Sequence, residues 1–358
     1  MPALPRRRRL LLATLAASFG LAVAVGLVEF GLRIVDPLGL RYEVEFTRYR
    51  TQALQFAWEQ RPAAELDLDG RLYWHKPNLD LDLGSFRLRT NRLGCRGPEV
   101  AVPKPADVFR IVLLGDSVAF GWGVDDEVTF ARRLEREYQP RAGARRLEVV
   151  NTALPMYDTN QEEATLRELG LSLQPDLVLL VYVVNDIEPT RDVVEQTLRA
   201  TDPHPEEDLS VPDDFWSWAG TRLGTLLPAC GKLVALRSDL EARMQRRLPP
   251  GATYRPERFG KGPRGWPRSQ AALLRIAAQC RAANVPLLLF DHTLPRLEPL
   301  PPFCREHGID CVPLWFSPED HRLGIVNSPL DTHANARGHG LLLERLVAAL
   351  RDRKLLPE

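Results

Sequence analysis

Neither sign of charge dominates this chain. Its 47 lysines and arginines are matched by 47 aspartates and glutamates, so the formal net charge is zero. A nucleic-acid partner demands a basic excess to neutralise phosphates, and that class of function is set aside. Cysteine is scarce, with five in 358 residues: Cys95, Cys230, Cys280, Cys304 and Cys311. They form no CxxC pair and no Cys/His cluster with zinc spacing, so no structural metal is expected. Cys304 and Cys311, the nearest pair, are open to two readings, a disulfide or burial as small apolar side chains. The odd count leaves at least one thiol free. No internal repeat is present. Proline, by contrast, is abundant and clusters in connecting stretches.

The strongest compositional feature is the N-terminus. Arg6-Arg7-Arg8-Arg9 precedes an uncharged apolar run from Leu10 to Val28, with Glu29 after it. As a helix this run rises about 28 Å, close to the hydrocarbon thickness of a bilayer. Clustered arginines stay on the cytoplasmic side, so the rest of the chain is expected outside the cytoplasm. Ala22-Val23-Ala24 resembles the processing site of a cleaved signal peptide, but the apolar run continues past it. The reading adopted is an uncleaved, single-pass anchor in the inner membrane with a periplasmic domain. The expected divisions are 1–29 for the arginine cluster and anchor, 30–105 for a membrane-proximal extended segment, and 106–358 for the main domain, with an insertion at about 190–268.

From residue 108 the pattern becomes regular. Strands are predicted at Val108–Leu114, Leu147–Val150, Asp176–Val184, Pro286–Phe290 and Ile309–Leu314. Helices are predicted at Thr129–Tyr138, Asn160–Leu171, Ser269–Ala283, Pro302–His307 and Ala334–Arg353. The run DLVLLVYVV is apolar almost throughout, as in a parallel strand covered on both faces. Strands alternating with helices predict a doubly wound α/β sandwich. The stretch 190–268, with its prolines, acidic run and Trp216/Trp218 pair, interrupts this alternation. It is read as an insertion, either a lid or a decorative loop, and the tryptophans as packing residues.

Catalytic groups in open α/β sheets gather outside the carboxyl ends of the strands. Three sequence islands fall there: Gly115-Asp116-Ser117, Asn185-Asp186 and Asp331-Thr332-His333. Asn151 ends a fourth strand. Together they suit acyl transfer. A serine hydroxyl needs a base within reach, and His333 can be that base for Ser117. Asp331 can hold the imidazole in the right tautomer. The developing oxyanion needs fixed donors. The Ser117 N–H, the Asn185 side-chain amide and an N–H in the loop after Asn151 are the candidates. Gly115 permits a sharp turn. Asp116 is expected to fix that turn through local hydrogen bonds, and Asp186 to be structural. Taken alone, Ser117 is an N-cap residue and nothing more; it is the order of the three islands that favours catalysis.

These islands resemble the SGNH, or GDSL, hydrolases. "LLGDS" with "FGWGV" is similar to the family's first block, "VVNDIEP" to the third, and "DTHANARGHG" to the fifth. "TNRLGCRGPE" is similar to a segment preceding the catalytic domain in membrane-anchored bacterial members. The resemblance implies a flavodoxin-like three-layer α/β/α sandwich with a parallel sheet. It implies Ser117 as nucleophile, His333 and Asp331 as base and acid, and an oxyanion hole of Ser117, Ala153 and Asn185. Two departures stand out. Ala153 and Met156 occupy positions in "NTALPMYDTNQE" where the family commonly has glycine, and the last island is Asp-x-His rather than Asp-x-x-His.

The expected activity is therefore a serine esterase acting on a small acyl ester, on an extracytoplasmic glycan or lipid. No cofactor is expected, since this chemistry requires none. Two alternatives are a polysaccharide O-acyltransferase of the same fold and a non-catalytic glycan-binding protein, the latter motivated by Ala153 and Met156. His292, at the end of the strand "PLLLFDHT", is read as a structural histidine in preference to a substrate-binding one, and His339, on the closing helix, as unimportant.

Overall fold

The computed structural model describes residues 5–35, 41–60, 69–138, 144–187, 265–294, 296–328 and 331–357. Nearly all of the stretch read as an insertion lies outside them, and with it Cys230, Trp216 and Trp218.

The N-terminal helix, α1 (Arg6–Val35), contains the segment Arg7–Leu27, of mean hydropathy 2.3 and long and apolar enough to cross a membrane. It belongs to one compact unit; from Glu45 onward the described chain, Ser328 excepted, belongs to another, which also contains the sheet. A second helix, α2 (Arg41–Gln52), occupies part of the stretch expected to be extended. Its sequence, RYEVEFTRYRTQ, is too polar to signal a helix by its apolar residues. Burial of Glu45 and Tyr49, four residues apart on one face, shows what holds it. Two short antiparallel pairs follow, β1 (Leu54–Phe56) with β2 (Tyr73–His75), and β3 (Asp80–Asp82) with β4 (Arg87–Arg89).

The core is a five-stranded parallel sheet. In chain order its elements are β5 (Val108–Gly115), α3 (Ser117–Phe120), α4 (Phe130–Glu137), β6 (Arg146–Asn151), α5 (Thr159–Glu168), β7 (Leu177–Tyr182), α6 (Gly265–Ala282), β8 (Leu287–Asp291), α7 (Leu300–Glu306), β9 (Asp310–Pro313), α8 (Pro318–Arg322) and α9 (Ala336–Asp352). The strand order is β6-β5-β7-β8-β9, every neighbouring pair parallel. This is the flavodoxin-like order, in which the chain reverses direction of winding at the first strand of the sheet, here β5. Helix α4 packs against α9, and α5 against α6, giving the outer layers of the α/β/α sandwich. Residues 111–114 of β5 and 177–182 of β7 are buried without exception, as their unbroken apolar sequence requires of strands covered on both faces. The predicted strands and helices are all present, with ends displaced by a few residues.

Arg110 is the exception within β5, since its side chain is fully buried. Its Nε donates to Glu148 Oε2 on β6 at 2.6 Å, and its two terminal nitrogens donate to the carbonyls of Leu173 and Ala101, each at 2.8 Å. A buried guanidinium is tolerable only with such full pairing. The clamp joins the chain before the sheet to the sheet itself. Cys95, Cys280, Cys304 and Cys311 are free thiols. Of the two readings for Cys304 and Cys311, the structure therefore has the reduced pair, and a hydrogen bond from one thiol to the other, with burial, pushes Cys311 up.

Candidate active site

Strand β5 ends at Gly115, whose φ is +146°. A Cβ there would lie 2.6 Å from the Ala119 methyl and 3.0 Å from the Val181 carbonyl, so only glycine fits. The chain then turns into α3 with Asp116 as its N-cap. Asp116 Oδ1 accepts from the Val118 N–H at 2.9 Å. Its Oδ2 accepts from the Ser117 hydroxyl at 3.0 Å and from Asn185 Nδ2 at 3.1 Å. The turn expected of Asp116 is thus built, and the same carboxylate ties the end of β5 to the turn after β7.

Ser117 opens α3, and its N–H is one of the first amides of a helix, which have no partner inside it. The opposite end of this short helix is held by Arg96, from "TNRLGCRGPE". The fully buried Arg96 guanidinium donates to the carbonyls of Phe120, Gly121 and Val124 at 2.9, 2.8 and 2.5 Å. Asn151, at the end of β6, adds a bond from Nδ2 to the Ala119 carbonyl at 3.0 Å. Every carbonyl bound here lies within or just after α3, so these side chains set the helix that carries Ser117.

His333 lies 216 residues further on, yet its Nε2 is 2.8 Å from the Ser117 Oγ. Its Nδ1 is 2.6 Å from Asp331 Oδ1. Because a carboxylate only accepts, Nδ1 carries the proton and Nε2 presents its lone pair to the serine hydroxyl. The Ser117 proton thus has two acceptors within reach, His333 Nε2 and Asp116 Oδ2. The Trp122 ring flanks the imidazole, centroid to centroid at 6.3 Å. Among the described residues, no group of His, Cys, Asp and Glu side chains is arranged to hold a metal ion.

The sequence model of the GDSL-like lipase/acylhydrolase family matches residues 113–341, more than half of the chain. The chain belongs to this family. It is an ester-hydrolysing enzyme on an SGNH-type α/β sandwich. No curated protein matches the chain. Among solved structures, it is similar to the psychrotrophic esterase EstA of a Pseudoalteromonas species, at 12% identity and a TM-score of 0.40, over 69% of this chain and 100% of that one. It is similar to the acetylxylan esterase Axe2 of Geobacillus stearothermophilus at 14% identity and a TM-score of 0.36, over 68% and 92%. A lipase/acylhydrolase of Enterococcus faecalis gives 13% identity and a TM-score of 0.33, over 68% and 96%. These likenesses are low, and the family assignment rests on the sequence match.

In this GDSL-like hydrolase one expected donor is committed elsewhere. The Ala153 N–H donates to Asn151 Oδ1 at 3.1 Å, and the Leu154 N–H to the Gly115 carbonyl at 3.1 Å. The loop's positive φ falls on Met156, at 72°, and not on Ala153. Met156 is thus the glycine-like position of the loop that carries a Cβ in the left-handed region. Asn185 keeps one amide hydrogen beyond the one given to Asp116.

Behind the site lies a layer of buried acids. Glu162, on α5, is fully buried, and neither carboxyl oxygen has a hydrogen-bond partner. Burial, and then the charges of Asp116 and Asp158, push its carboxyl well above the usual range. Burial, Glu162 and Asp116 do the same to Asp186, whose Oδ2 accepts from the Val183 N–H at 3.0 Å. That bond closes the turn that follows β7.

His292 is at the same sheet edge. Its Nδ1–H donates to the Leu314 carbonyl at 2.6 Å, and burial lowers its pKa. His339, expected to be unimportant, accepts at Nδ1 from the Phe130 N–H at 3.1 Å and joins α9 to α4; burial lowers its pKa to about 3. Sequence reasoning missed Arg96, Trp122 and Asn327. Arg96 sits inside a quoted motif, but an arginine in a loop normally signals solvent. Asn327 has no motif around it.

Proposed function

We propose that this enzyme is a serine esterase that works through an acyl-Ser117 intermediate and removes a small acyl group from a glycan or lipid outside the cytoplasm. The observation that carries the reading is the continuous hydrogen-bonded line from Asp331 Oδ1 through His333 to the Ser117 hydroxyl, 2.6 and 2.8 Å long. Ser117 Oγ attacks the ester carbonyl while its proton passes to His333 Nε2. The Asp331 carboxylate stabilises the imidazolium that forms. The oxyanion is held by the Ser117 N–H and by the remaining amide hydrogen of Asn185. Collapse of the tetrahedral intermediate expels the alcohol, which takes the proton back from Nε2. A water then repeats the sequence on the acyl-enzyme and releases the carboxylic acid. The oxyanion hole expected at Ala153 needs its N–H to leave Asn151 Oδ1, so Ala153 is given the lesser share.

Support for action outside the cytoplasm comes from Arg6–Arg9 ahead of an apolar helix of membrane-spanning length. On this reading the helix is an inner-membrane anchor and the sheet-containing unit is periplasmic. The test is the full-length protein in detergent with p-nitrophenyl acetate, beside Ser117→Ala, together with mass spectrometry after a fluorophosphonate probe. Hydrolysis lost in S117A and probe mass on the Ser117 peptide are expected. Equal turnover by both proteins removes the acyl-serine reading, and an unlabelled, folded wild type favours a binding protein.

A further inference from the structure

Asn327 lies four residues before Asp331 and is joined to both acidic and basic members of the site. Its side-chain Nδ2 donates to Asp331 Oδ2 at 3.1 Å, the carboxylate oxygen that does not face the imidazole. Its backbone N–H donates to the His333 carbonyl at 2.9 Å. Nδ2 also approaches the Trp122 carbonyl at 3.4 Å.

The backbone around it explains why this arrangement is fixed. Val326 and Ala334 form an antiparallel bridge. The Asn335 N–H donates to the Ile325 carbonyl at 2.9 Å, and Asn335 Nδ2 donates to the carbonyls of Gly324 and Val326 at 2.9 and 2.8 Å. Residues 324–327 thus form a clip alongside 333–335. Helix α9 seals the clip: a Cβ on Gly338 would come within 2.5 Å of the Ile325 carbonyl. On the other side, a Cβ on Gly123 would fall 2.0 Å from Asn327 Nδ2, and Gly123 has φ +81°. The glycine leaves the space that the Asn327 amide fills.

We infer that Asn327 is a positioning residue of the hydrolytic reaction, holding the Asp331 carboxylate and the His333 backbone in register so that an Asp-x-His segment presents its imidazole to Ser117. The inference rests on the acyl-serine reading above. Its physical content is the following. With one residue between acid and base, Asp331 Oδ1 must receive both the Nδ1–H of His333 and, at 3.2 Å, the His333 backbone N–H. Both of these donors belong to one residue and meet one oxygen. The Asn327 donor on Oδ2 ties the other end of the carboxylate to the clip, and it keeps the charge where the imidazolium forms. Neutral amide nitrogen is suited to this task. It donates without adding charge, and its carbon frame is held by the clip.

The test uses the full-length protein with p-nitrophenyl acetate and three substitutions. Asn327→Asp is isosteric and removes the donor; Asn327→Ser keeps a shorter donor; Ser117→Ala is the control. Asn327 is partly exposed on a connecting segment, where substitution is tolerated by the fold, and thermal unfolding verifies this for each variant. The expected result is a kcat reduced by roughly 10- to 100-fold in N327D with KM unchanged, and a smaller loss in N327S. Proton NMR supplies an independent readout. The hydrogen held between His333 Nδ1 and Asp331 gives a low-field resonance in the wild type that moves upfield or broadens in N327D. A folded N327D or N327S with wild-type kcat and an unmoved resonance overturns the inference. If S117A turns over as fast as wild type, the acyl-serine reading fails instead, and the two failures are distinguishable.

Discussion

Asn185 Nδ2 and Asp116 Oδ2 are hydrogen-bonded at 3.1 Å, across the gap between the ends of two neighbouring parallel strands. The bond fixes the amide plane, so the second hydrogen of Nδ2 points in a set direction before any substrate arrives. Preorganised donors of this kind act on the charge that develops during reaction. Asn185→Ala is therefore expected to lower kcat by about 100- to 1,000-fold with a small change in KM. Steady-state kinetics on a nitrophenyl ester measure it, and a change confined to KM would remove Asn185 from the oxyanion hole.

Asp116 has a second duty as the cap of α3. Asp116→Ala is expected to cost about 1 kcal/mol of stability from the lost cap. It also frees Asn185 and strips one acceptor from the Ser117 hydroxyl, so kcat falls further than stability alone explains. Asp116→Asn separates the two effects, because it keeps a capping oxygen. Capping maintained together with wild-type kcat would show that the carboxylate charge is irrelevant.

Glu162 makes stability fall with rising pH. Its folded-state pKa is raised well above 4.5, chiefly by burial, so the unfolded chain releases this proton at lower pH than the folded one. Its contribution is complete below the unfolded pKa and is lost as pH climbs toward the folded one, at about 1.4 kcal/mol per pH unit while the two states differ. Asp186 acts in the same direction. Glu162→Gln is expected to flatten the decline, giving a higher unfolding temperature than wild type at pH 8. Calorimetric scans from pH 5 to 8 provide the check, and parallel curves for the two proteins would contradict it.

Arg110 predicts an asymmetry between single and double substitutions. Arg110→Ala strands Glu148 and two carbonyls inside the protein and is expected to cost about 3–5 kcal/mol. The pair Arg110→Met with Glu148→Leu replaces both charges by apolar volume, and most of the loss returns. Urea midpoints of the variants decide the matter; a double variant as weak as the single would mean the carbonyl bonds outweigh the ion pair.

The sheet was readable because its strands are apolar runs buried on both faces, and because the strand ends carry the punctuation Gly115-Asp116-Ser117 and Asn185-Asp186. Helix α2 was not readable. Its buried face is carried by Glu45 and Tyr49, residues that composition assigns to solvent. Arg96 and Arg110 were hidden for the same reason, since each is buried on partners that its own neighbouring residues do not reveal. The spacing of Ser117, Asp331 and His333 could be proposed from motif order, whereas the engagement of Ala153 by Asn151 depends on a side-chain orientation that no spacing encodes. Asn327 required the clip to be seen.

The aromatic cluster shows where this enzyme can be cut. Tyr49 meets the Trp122 ring edge-on at 5.3 Å and gives its hydroxyl to His75 Nε2 at 2.8 Å; Phe46 and Phe86 close on the same indole. Trp122 is in turn the neighbour of His333. A fragment trimmed at residue 106, where the regular α/β pattern begins, would bare this greasy face beside the imidazole and forfeit the Arg96 cradle. Fragments meant for crystallisation or assay should therefore start upstream of Glu45, sparing the polar helix α2 while discarding only the apolar helix α1.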